Sequence, residues 1–543
     1  MSDWTTNLDQ TWDALVIGTG IGGASIGHAL AKQGKHVLFC EKGRSSLAAD
    51  AKRGDYAEMQ FPAPAVPAQR HRRILEQSGR WAEFLEDHSG KRVTRYVPFL
   101  GSGTGGSSAL YGAAMERFFA EDFAPAASHA DRVDADLPEA WPITYAELAP
   151  NYARAEVLYG VKGSRDPLRA QEPIEEIPSA PPYGPANRAL ADLLETKGLH
   201  PYRLPTAGEF VSGCQTCQGF LCSRDCKNDS VRVCLAPALR DHGARLLDRC
   251  RVLRLETQGR HVESVLCERD GQILKLRGRL VILAAGALAT PALLLRSESR
   301  QWPQGLANGS GMVGRHLMRH CIDLYALAPP IKPTVDENVK ELAFNDFYLR
   351  DGKKLGTVQS FGRLPPAPML AASLQEDIRT AAGRTVASLF GLAKPLMRPL
   401  LAKTFDNALI LASTLEDLPF GDNRVFPVGA DGIGINYRLN AKDRARIAAF
   451  RSLMADTLQP WKYRLLKQAE NNERIAHACG TCRMGTDPAN SVVDRDNRAH
   501  DLDNLFIVDS AFFPSSGGTN PSLTIAANAL RVAERILSGG YLR

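Results

Sequence analysis

Two features that would place this chain in a membrane or outside the cell are missing from its sequence. No uninterrupted apolar stretch is long enough to span a bilayer. The N-terminal segment MSDWTTNLDQTWD has neither the basic region nor the apolar core of a secretory signal, and no twin-arginine motif precedes the first predicted strand. We therefore expect a cytoplasmic protein without a transmembrane segment.

The sequence also lacks a strong excess of charge of one sign. Its 66 basic and 60 acidic residues leave a net charge of +6, which is small for 543 residues and gives no argument for nucleic acid as a partner. The 11 cysteines are odd in number, and Cys40, Cys479 and Cys482 lie in segments that carry predicted function. This usage fits a reducing compartment better than a disulfide scaffold.

The length and composition are those of a globular protein with more than one domain. A chain of 543 residues is too long for one core, and its 44% hydrophobic and 23% charged residues are ordinary values. A helix is predicted around Ile74–His88. Alternating apolar and polar residues over 246–285 predict a small set of antiparallel strands that returns to the main sheet.

The clearest motif lies at residues 13–42, DALVIGTGIGGASIGHALAKQGKHVLFCEK. A short apolar run is followed by Gly18, Gly20 and Gly23 in the spacing G-x-G-x-x-G, then by a helical pattern, a second apolar run and Glu41. These glycines permit a tight turn, close approach of a pyrophosphate, and close packing of helix on sheet. Because Glu41 can accept a hydrogen bond from a ribose 2′-OH and would repel a 2′-phosphate, the motif predicts a plain adenosine dinucleotide.

A second glycine-rich segment, GSGTGGSSALYGAAMERF, spans residues 101–118. Five glycines and four Ser or Thr residues leave its backbone free to wrap a ligand closely, and we take Gly105 and Ser107 as candidate cofactor contacts. The alternative is a flexible linker. The pattern over 109–118 favours a second helix that begins at the ligand.

The C-terminal block carries the candidate chemistry. His477 stands before a Gly-Thr turn in the spacing H-x-x-G-T, and the strand pattern NLFIVD ends at Asp509. A glycine loop follows, and a long helix is predicted to begin near Pro521, a residue suited to the first helical position. The positive N-terminus of that helix can stabilise negative charge.

Together these motifs resemble the glucose-methanol-choline (GMC) oxidoreductases, which are FAD flavoproteins. The stretches VILAAGALATPALLLRS from Val281 and GMVGRHLMRH from Gly311 agree with the family in content and order. The resemblance implies an α/β fold in which a Rossmann-like FAD-binding domain is interleaved with an α+β substrate-binding domain. The FAD-binding domain would comprise residues 1–118, 205–320 and 476–543, and the substrate-binding domain residues 119–204 and 321–475.

The resemblance also implies roles for single residues. His477 would face the reactive edge of the flavin, and Asn520 would complete a pair with it. Val252 would contact adenine through its backbone, and Asp509 and Ser510 would lie along the flavin and ribityl chain. Tyr111 departs from the family because members often carry Asn at this position, so we assign no flavin hydrogen bond to its side chain.

The implied function is oxidation of an alcohol to a carbonyl by hydride transfer to flavin N5, with His477 as the base. A neutral imidazole suits this task because its pKa lies near physiological pH. There are two alternatives: an FAD-containing lyase of the same family, and a non-catalytic redox sensor that binds a dinucleotide. Because the family contains oxidases and dehydrogenases, the electron acceptor is oxygen, a quinone or a protein. The FAD is bound covalently or non-covalently.

Two segments have more than one interpretation. Cys214, Cys217, Cys222 and Cys226 are spaced like ligands of an iron–sulfur cluster or zinc, while the alternative is ordinary thiols. The basic apolar stretch at 385–405 is a lid, a membrane-surface patch, a docking site for an acceptor, or a packed core segment.

Overall fold

The structure is a computed structural model. It describes residues 10–60, 68–129, 135–172, 176–212, 214, 218–333, 340–350, 352–371, 375, 405 and 407–542. The α-helices, in chain order, are α1 (Ile21–Lys32), α2 (Ala68–Gln77), α3 (Tyr145–Tyr159), α4 (Pro185–Thr196), α5 (Ala236–Asp241), α6 (Ala289–Arg296), α7 (Ala441–Leu458) and α8 (Ser522–Ser538).

The strands are short and lie in several sheets. In chain order they are β1 (Thr11–Ile17), β2 (Val37–Cys40), β3 (Leu85–Asp87), β4 (Thr94–Tyr96), β5 (Val161–Lys162), β6 (Tyr202–Arg203), β7 (Thr206–Ala207), β8 (Arg245–Leu247), β9 (Cys250–Gln258), β10 (His261–Arg269), β11 (Gln272–Leu283), β12 (Cys321–Ala328), β13 (Leu342–Phe344), β14 (Leu349–Arg350), β15 (Lys353–Lys354), β16 (Gly356–Ser360), β17 (Leu409–Leu415), β18 (Arg424–Val428), β19 (Gly432–Asn436), β20 (Lys462–Leu466) and β21 (Leu505–Ile507).

A seven-stranded sheet forms the base of the molecule. Its order is β8-β2-β1-β11-β10-β9, with β21 also paired to β11. The pairs β8-β2, β2-β1, β1-β11 and β11-β21 are parallel, whereas β9, β10 and β11 are antiparallel, as the alternation over 246–285 predicts. Strands β2 and β21 and residues 14–17 of β1 are runs of buried apolar residues, as in a parallel sheet covered by helices.

Helix α1 packs closely on this sheet because small residues face it. A Cβ atom at Gly27 would lie 2.3 Å from the ring of Phe39, and one at Gly22 would lie 2.2 Å from the carbonyl oxygen of Val508. These approaches bring the N-terminus of α1 to the carboxyl end of β1, where ligands bind in sheets of this kind.

A second, six-stranded sheet is antiparallel and has the order β20-β12-β17-β16-β13-β6. One face packs on α4 and α7 through a separate cluster of buried residues that includes Tyr325, Phe344 and Phe450. A separate four-stranded sheet has the order β18-β19-β3-β4. The second sheet carries Gln359 on β16 toward the C-terminal loop that contains Asn520.

The single helix predicted around Ile74–His88 is wrong. Helix α2 ends at Gln77, two residues before Gly79, whose φ of +69° is a left-handed conformation that ends a helix. Residues Leu85–Asp87 form β3 instead, which pairs in parallel with Ile433–Ile435 of β19. A distant strand decides the structure of this segment, and local periodicity contains no sign of it.

Candidate active site

The glycines of the first motif have different structural tasks. Gly18 has a φ of +99°, and a Cβ atom there would lie 2.3 Å from the carbonyl oxygen of Ala284. A Cβ atom at Gly23 would lie 2.1 Å from the carbonyl oxygen of Gly18. At Gly20, by contrast, no atom lies within 4 Å of the Cβ position. Gly18 and Gly23 therefore permit close packing, whereas Gly20 faces open space at the N-terminus of α1.

Glu41 is held at the end of β2 by the glycine loop itself. Its Oε2 accepts hydrogen bonds from the Thr19 amide at 3.1 Å and the Thr19 hydroxyl at 2.7 Å, and Oε1 accepts one from the Gly43 amide at 3.0 Å. Burial raises the pKa of Glu41, and these hydrogen bonds oppose that rise. The carboxyl group thus has a fixed position beside the loop.

The segment from 101 packs on the same loop. Gly105 has a φ of +86°, and its amide donates to the Thr19 hydroxyl at 3.3 Å. A Cβ atom at Gly106 would lie 3.3 Å from Cα of Gly20. The Ser107 hydroxyl accepts from the Gly101 amide at 3.2 Å. Gly105 and Gly106 therefore contact the glycine loop directly, whereas the Ser107 hydroxyl is bonded within its own segment.

The helix predicted over 109–118 is wrong. The segment contains one turn of 3₁₀ helix, Gly106–Ala109, and continues as an extended chain. The reason is tertiary, because backbone groups of the segment bond to distant residues: the Met115 amide donates to the carbonyl of Pro205, and the Ala113 carbonyl accepts from the Ala207 amide. These contacts replace the local hydrogen bonds that a helix would need.

Asp509 joins three segments near the end of the parallel strands. Its Oδ2 accepts hydrogen bonds from the Gly286 amide at 2.9 Å and the Thr290 hydroxyl at 2.6 Å. The Ser510 hydroxyl donates to the carbonyl of Ala478 at 2.7 Å, which fixes the residue after His477. Burial raises the pKa of Asp509. Val252 lies apart from these residues on β9, opposite Cys267 of β10.

His477 forms a hydrogen bond with a second histidine, His320. The two Nδ1 atoms are 2.9 Å apart, and the ring planes are nearly perpendicular at 88°. His320 adopts a left-handed φ of +59°, which is uncommon for a residue with a side chain. Its Nε2 lies 3.0 Å from the carbonyl oxygen of Ser516 and 2.9 Å from that of Gly517.

These contacts determine the tautomer of His477. A carbonyl oxygen can only accept, so Nε2 of His320 carries the hydrogen, and the neutral ring has an acceptor at Nδ1. The hydrogen between the two rings therefore belongs to Nδ1 of His477. The neutral His477 ring then has its lone pair on Nε2, which is the form that a general base needs.

The pKa of His477 is lowered well below its ordinary value. Burial is the main cause, and the neighbouring His320 and Lys340 add to it. The shift favours the neutral ring, so the imidazole can accept a proton across the neutral pH range.

Asn520 is fixed by a glutamine from the second sheet. The Asn520 Nδ2 group donates to Gln359 Oε1 at 2.9 Å, and Asn520 Oδ1 accepts from Gln359 Nε2 at 3.2 Å. One hydrogen and one lone pair of the Asn520 amide remain available for a ligand. The preceding Thr519 donates to Glu116 at 3.1 Å. Pro521 stands just before α8, as predicted.

A buried charged cluster supports the loop between these residues. Lys354 Nζ lies 2.5 Å from Asp122 Oδ1 and 2.7 Å from Glu416 Oε2, and all three side chains are fully buried. Glu416 Oε1 accepts from the Gly517 amide at 3.1 Å. Burial acts against the lysine charge, but the two carboxylates outweigh it and raise the pKa of Lys354. The cluster therefore holds the backbone that contacts His320.

Sequence reasoning identified His477 and Asn520 but missed the residues that hold them. His320 lies inside GMVGRHLMRH, a stretch that indicates the family but no role for this histidine. Gln359 and Lys340 lie in segments without any motif. The sequence around His320, Met-Arg-His, marks a histidine within a family stretch but does not indicate its partner.

The cysteine segment is described in part. Cys226 Sγ lies 3.9 Å from that of Cys214 and 3.7 Å from that of Cys222, and Cys217 lies outside the described residues. Within the described ranges, no group of three or more His, Cys, Asp and Glu side chains has the geometry of a metal site. The metal interpretation stays a prediction. The stretch 385–405, except Phe405, also lies outside the described residues.

Comparison with known proteins identifies the family. Two family models, both described as GMC oxidoreductase, match residues 13–322 and 427–529. The chain belongs to the GMC oxidoreductase family. The resemblance inferred from the motifs is therefore confirmed. Because members of this family are oxidoreductases, the chain is an enzyme, and the non-catalytic sensor is not favoured.

Individual relatives span the whole chain. The 6'''-hydroxyparomomycin C oxidase of Streptomyces lividus is 31% identical and covers 98% of this chain and 92% of its own length. The 2-methyl-1,2-propanediol dehydrogenase of Mycolicibacterium austroafricanum is 28% identical and covers 98% of this chain and 96% of its own length. Their names favour an oxidoreductase over a lyase.

A solved structure confirms the fold class. The crystal structure of pyridoxine 4-oxidase from Mesorbium loti matches with a TM-score of 0.64 at 21% identity, and covers 97% of this chain and 99% of its own. The predicted α/β fold of the family is therefore correct. In the described ranges, no helix has the length and apolar character needed to cross a bilayer.

Proposed function

We propose that this GMC oxidoreductase binds FAD and oxidises an alcohol to a carbonyl compound, with His477 as the base and Asn520 as the residue that orients the hydroxyl. The hydrogen bond between His477 and His320 carries the proposal, because it leaves the lone pair of His477 on Nε2. The names of the relatives, which include a propanediol dehydrogenase and an aminoglycoside oxidase, support an alcohol as the electron donor.

The glycine loop fits the adenosine dinucleotide part of FAD. Open space at Gly20, the N-terminus of α1 and the fixed carboxyl group of Glu41 suit a pyrophosphate and a ribose in turn. When bound, FAD supplies the acceptor for the hydride that leaves the alcohol carbon. The residues proposed to shape or contact its site are Gly18, Gly20, Gly23, Glu41, Gly105, Ser107, Val252, Asp509, Ser510 and Pro521.

The proposed domains follow the sheets in most places. All strands of the seven-stranded sheet fall in residues 1–118, 205–320 and 476–543, the segments assigned to FAD. All strands of the six-stranded sheet fall in residues 119–204 and 321–475, the segments assigned to substrate. Two smaller sheets cross this division, because β3 pairs with β19 and β5 pairs with β7.

The protein side chains would divide the proton chemistry between them. His477 Nε2 takes the hydroxyl proton, and the resulting imidazolium donates through both nitrogens. Asn520 holds the hydroxyl in line without adding charge, and Gln359 prevents its amide from rotating.

Anaerobic mixing with primary and secondary alcohols tests the proposed function. Oxidation of an alcohol is expected to bleach the yellow absorbance of the bound flavin. A lyase or a non-catalytic sensor of the same fold would leave that absorbance unchanged, so a full panel without bleaching would contradict the proposal.

Substitution of Gly20 tests the predicted dinucleotide site. Because no protein atom opposes a Cβ atom there, Gly20→Ala and Gly20→Val are expected to fold but to bind FAD about tenfold or more weakly. The measurement is flavin content after purification and the dissociation constant of the apoprotein. Gly90→Ala, in a surface loop away from the motif, serves as the matched control. Unchanged affinity in Gly20→Val would place the cofactor elsewhere.

The lowered pKa of His477 predicts the pH dependence of flavin reduction. A base works when it has lost its proton, so the rate falls only as the pH drops through its pKa. Since burial keeps that pKa well below 6.5, the rate constant for reduction is expected to stay flat through neutral pH and to decline only on the acid side of 6.5. Stopped-flow measurement of the rate constant for flavin reduction across pH detects this decline. A decline that begins above pH 7 would contradict a neutral buried base.

A further inference from the structure

Lys340 is a buried cation to which the described part of the chain offers no hydrogen bond or ion pair. It lies two residues before β13 and is only 6% exposed, and the contact of its ammonium group with the Phe361 ring is long, at 5.7 Å to the centroid. The nearby carboxyl group of Glu116 is already engaged by the hydroxyls of Tyr202 and Thr519. An ammonium group buried in this way is costly unless a ligand pairs with it.

A buried acceptor without a partner lies beside Lys340. Oε1 of Gln218 has no hydrogen-bond partner in the described part of the chain. A Cβ atom at Gly112 would lie 2.5 Å from Gln218 Oε1 and 2.8 Å from Lys340 Nζ. The two polar atoms therefore converge on the same side of Gly112, and only a residue without a side chain leaves room for them.

This pair belongs to the surroundings of the proposed base. Ala343, three residues after Lys340, pairs on β13 with Gln359 of β16, the residue that holds Asn520, and the charge of Lys340 contributes to the lowering of the pKa of His477. Gly112 lies in the segment 101–118 that packs on the dinucleotide loop. A ligand that reaches both Lys340 and Gln218 would therefore extend from the reacting alcohol.

We propose that Lys340 and Gln218 form a subsite for a second hydroxyl group of the substrate, so that the enzyme prefers diols, polyols or sugars to simple alcohols. The inference rests on the proposed alcohol oxidation. A hydroxyl is the group that satisfies both partners, since it accepts from the ammonium and donates to the amide oxygen. A carboxylate would satisfy Lys340 but would place its oxygens against Gln218 Oε1, which also only accepts.

The size of the preference follows from the two unmet groups. A site built to hydrogen-bond a hydroxyl discriminates against an analogue without it, because the buried polar groups then stay unpaired. We expect the kcat/KM for the best diol to exceed that for the matching monoalcohol by about ten- to a hundredfold.

The test compares matched substrates on the holoenzyme. The set is 1-hexanol, the isomeric hexanediols, sorbitol and 6-hydroxyhexanoate, and the measurement is kcat/KM with an artificial acceptor. In Lys340→Met and in Gln218→Leu, the ratio of best diol or polyol to 1-hexanol is expected to fall about tenfold. Because both substrates in a ratio use the same base, a change in His477 cancels. Lys162→Met, at a partly exposed lysine paired with Glu209, is the control and is expected to keep the ratio.

Each other outcome overturns the subsite. A parent ratio near one, a ratio that survives both substitutions, or a preference for 6-hydroxyhexanoate would each exclude a hydroxyl-binding role. Gln218→Leu tests the subsite independently if Lys340→Met does not fold. Failure of every alcohol, diols included, to bleach the flavin would instead overturn the proposed oxidation and the subsite with it.

Discussion

His477→Gln is expected to slow the anaerobic reduction of the bound flavin by alcohols about a hundred- to ten-thousandfold, the range for loss of a positioned base. Glutamine can keep a hydrogen bond to His320 Nδ1 through its amide, so the buried contact need not be lost. It cannot accept the hydroxyl proton, however, because an amide is not basic near neutral pH. The rate constant at saturating alcohol in a stopped-flow experiment measures the effect.

A second histidine substitution separates this effect from general damage. His36 is exposed in the turn between α1 and β2, so His36→Gln is expected to reduce flavin at the parental rate. Both variants should retain flavin and show the parental visible spectrum before alcohol is added. If His477→Gln reduces its flavin as fast as the parent, another group takes the proton and the proposed mechanism is wrong.

The confirmed predictions, the family and the fold class, depend on motifs that lie within short stretches of chain. The spacing of Gly18, Gly20 and Gly23 predicts the turn and the close packing of α1, although the carbonyl oxygen that approaches Gly18 belongs to Ala284 in a distant segment. The position of Pro521 before α8 is local in the same way. Family membership followed from such stretches and is confirmed.

The predictions that failed concern segments whose structure depends on distant partners. Residues 85–87 form a strand because β19 lies beside them, and 109–118 does not form a helix because Pro205 and Ala207 take its backbone hydrogen bonds. The candidate site shows the same limit. His320, just before β12, contacts His477, and Gln359 on β16 contacts Asn520. No sequence periodicity pairs residues so far apart.

Lys354→Met is expected to destabilise the protein more than any surface substitution. Methionine fills a similar volume but leaves Asp122 and Glu416 as buried carboxylates without their cation. Removal of one partner of a buried ion pair costs about 3–5 kcal/mol in free energy of unfolding. Urea unfolding should show a lower midpoint at an unchanged slope. Lys353→Met, at the exposed neighbouring position of β15, is the matched control and is expected to keep the parental midpoint.

The pH dependence of that difference identifies its electrostatic origin. Burial acts to raise the pKa of Glu416, but the charge of Lys354 and the hydrogen bond from His129 outweigh burial and lower that pKa, so the folded state holds this carboxylate ionised. A depressed carboxyl pKa stabilises the fold above the pKa of the unfolded chain, and this contribution is lost as the pH falls through the folded pKa. Lys354→Met removes the contribution, so the gap in unfolding free energy between parent and variant should narrow toward acid pH.

Adding Asp122→Asn and Glu416→Gln to Lys354→Met should restore part of the loss at neutral pH, because no unpaired charge then remains buried. A gap that is independent of pH, and that the added substitutions do not reduce, would mean that Lys354 stabilises the loop at Gly517 by packing alone.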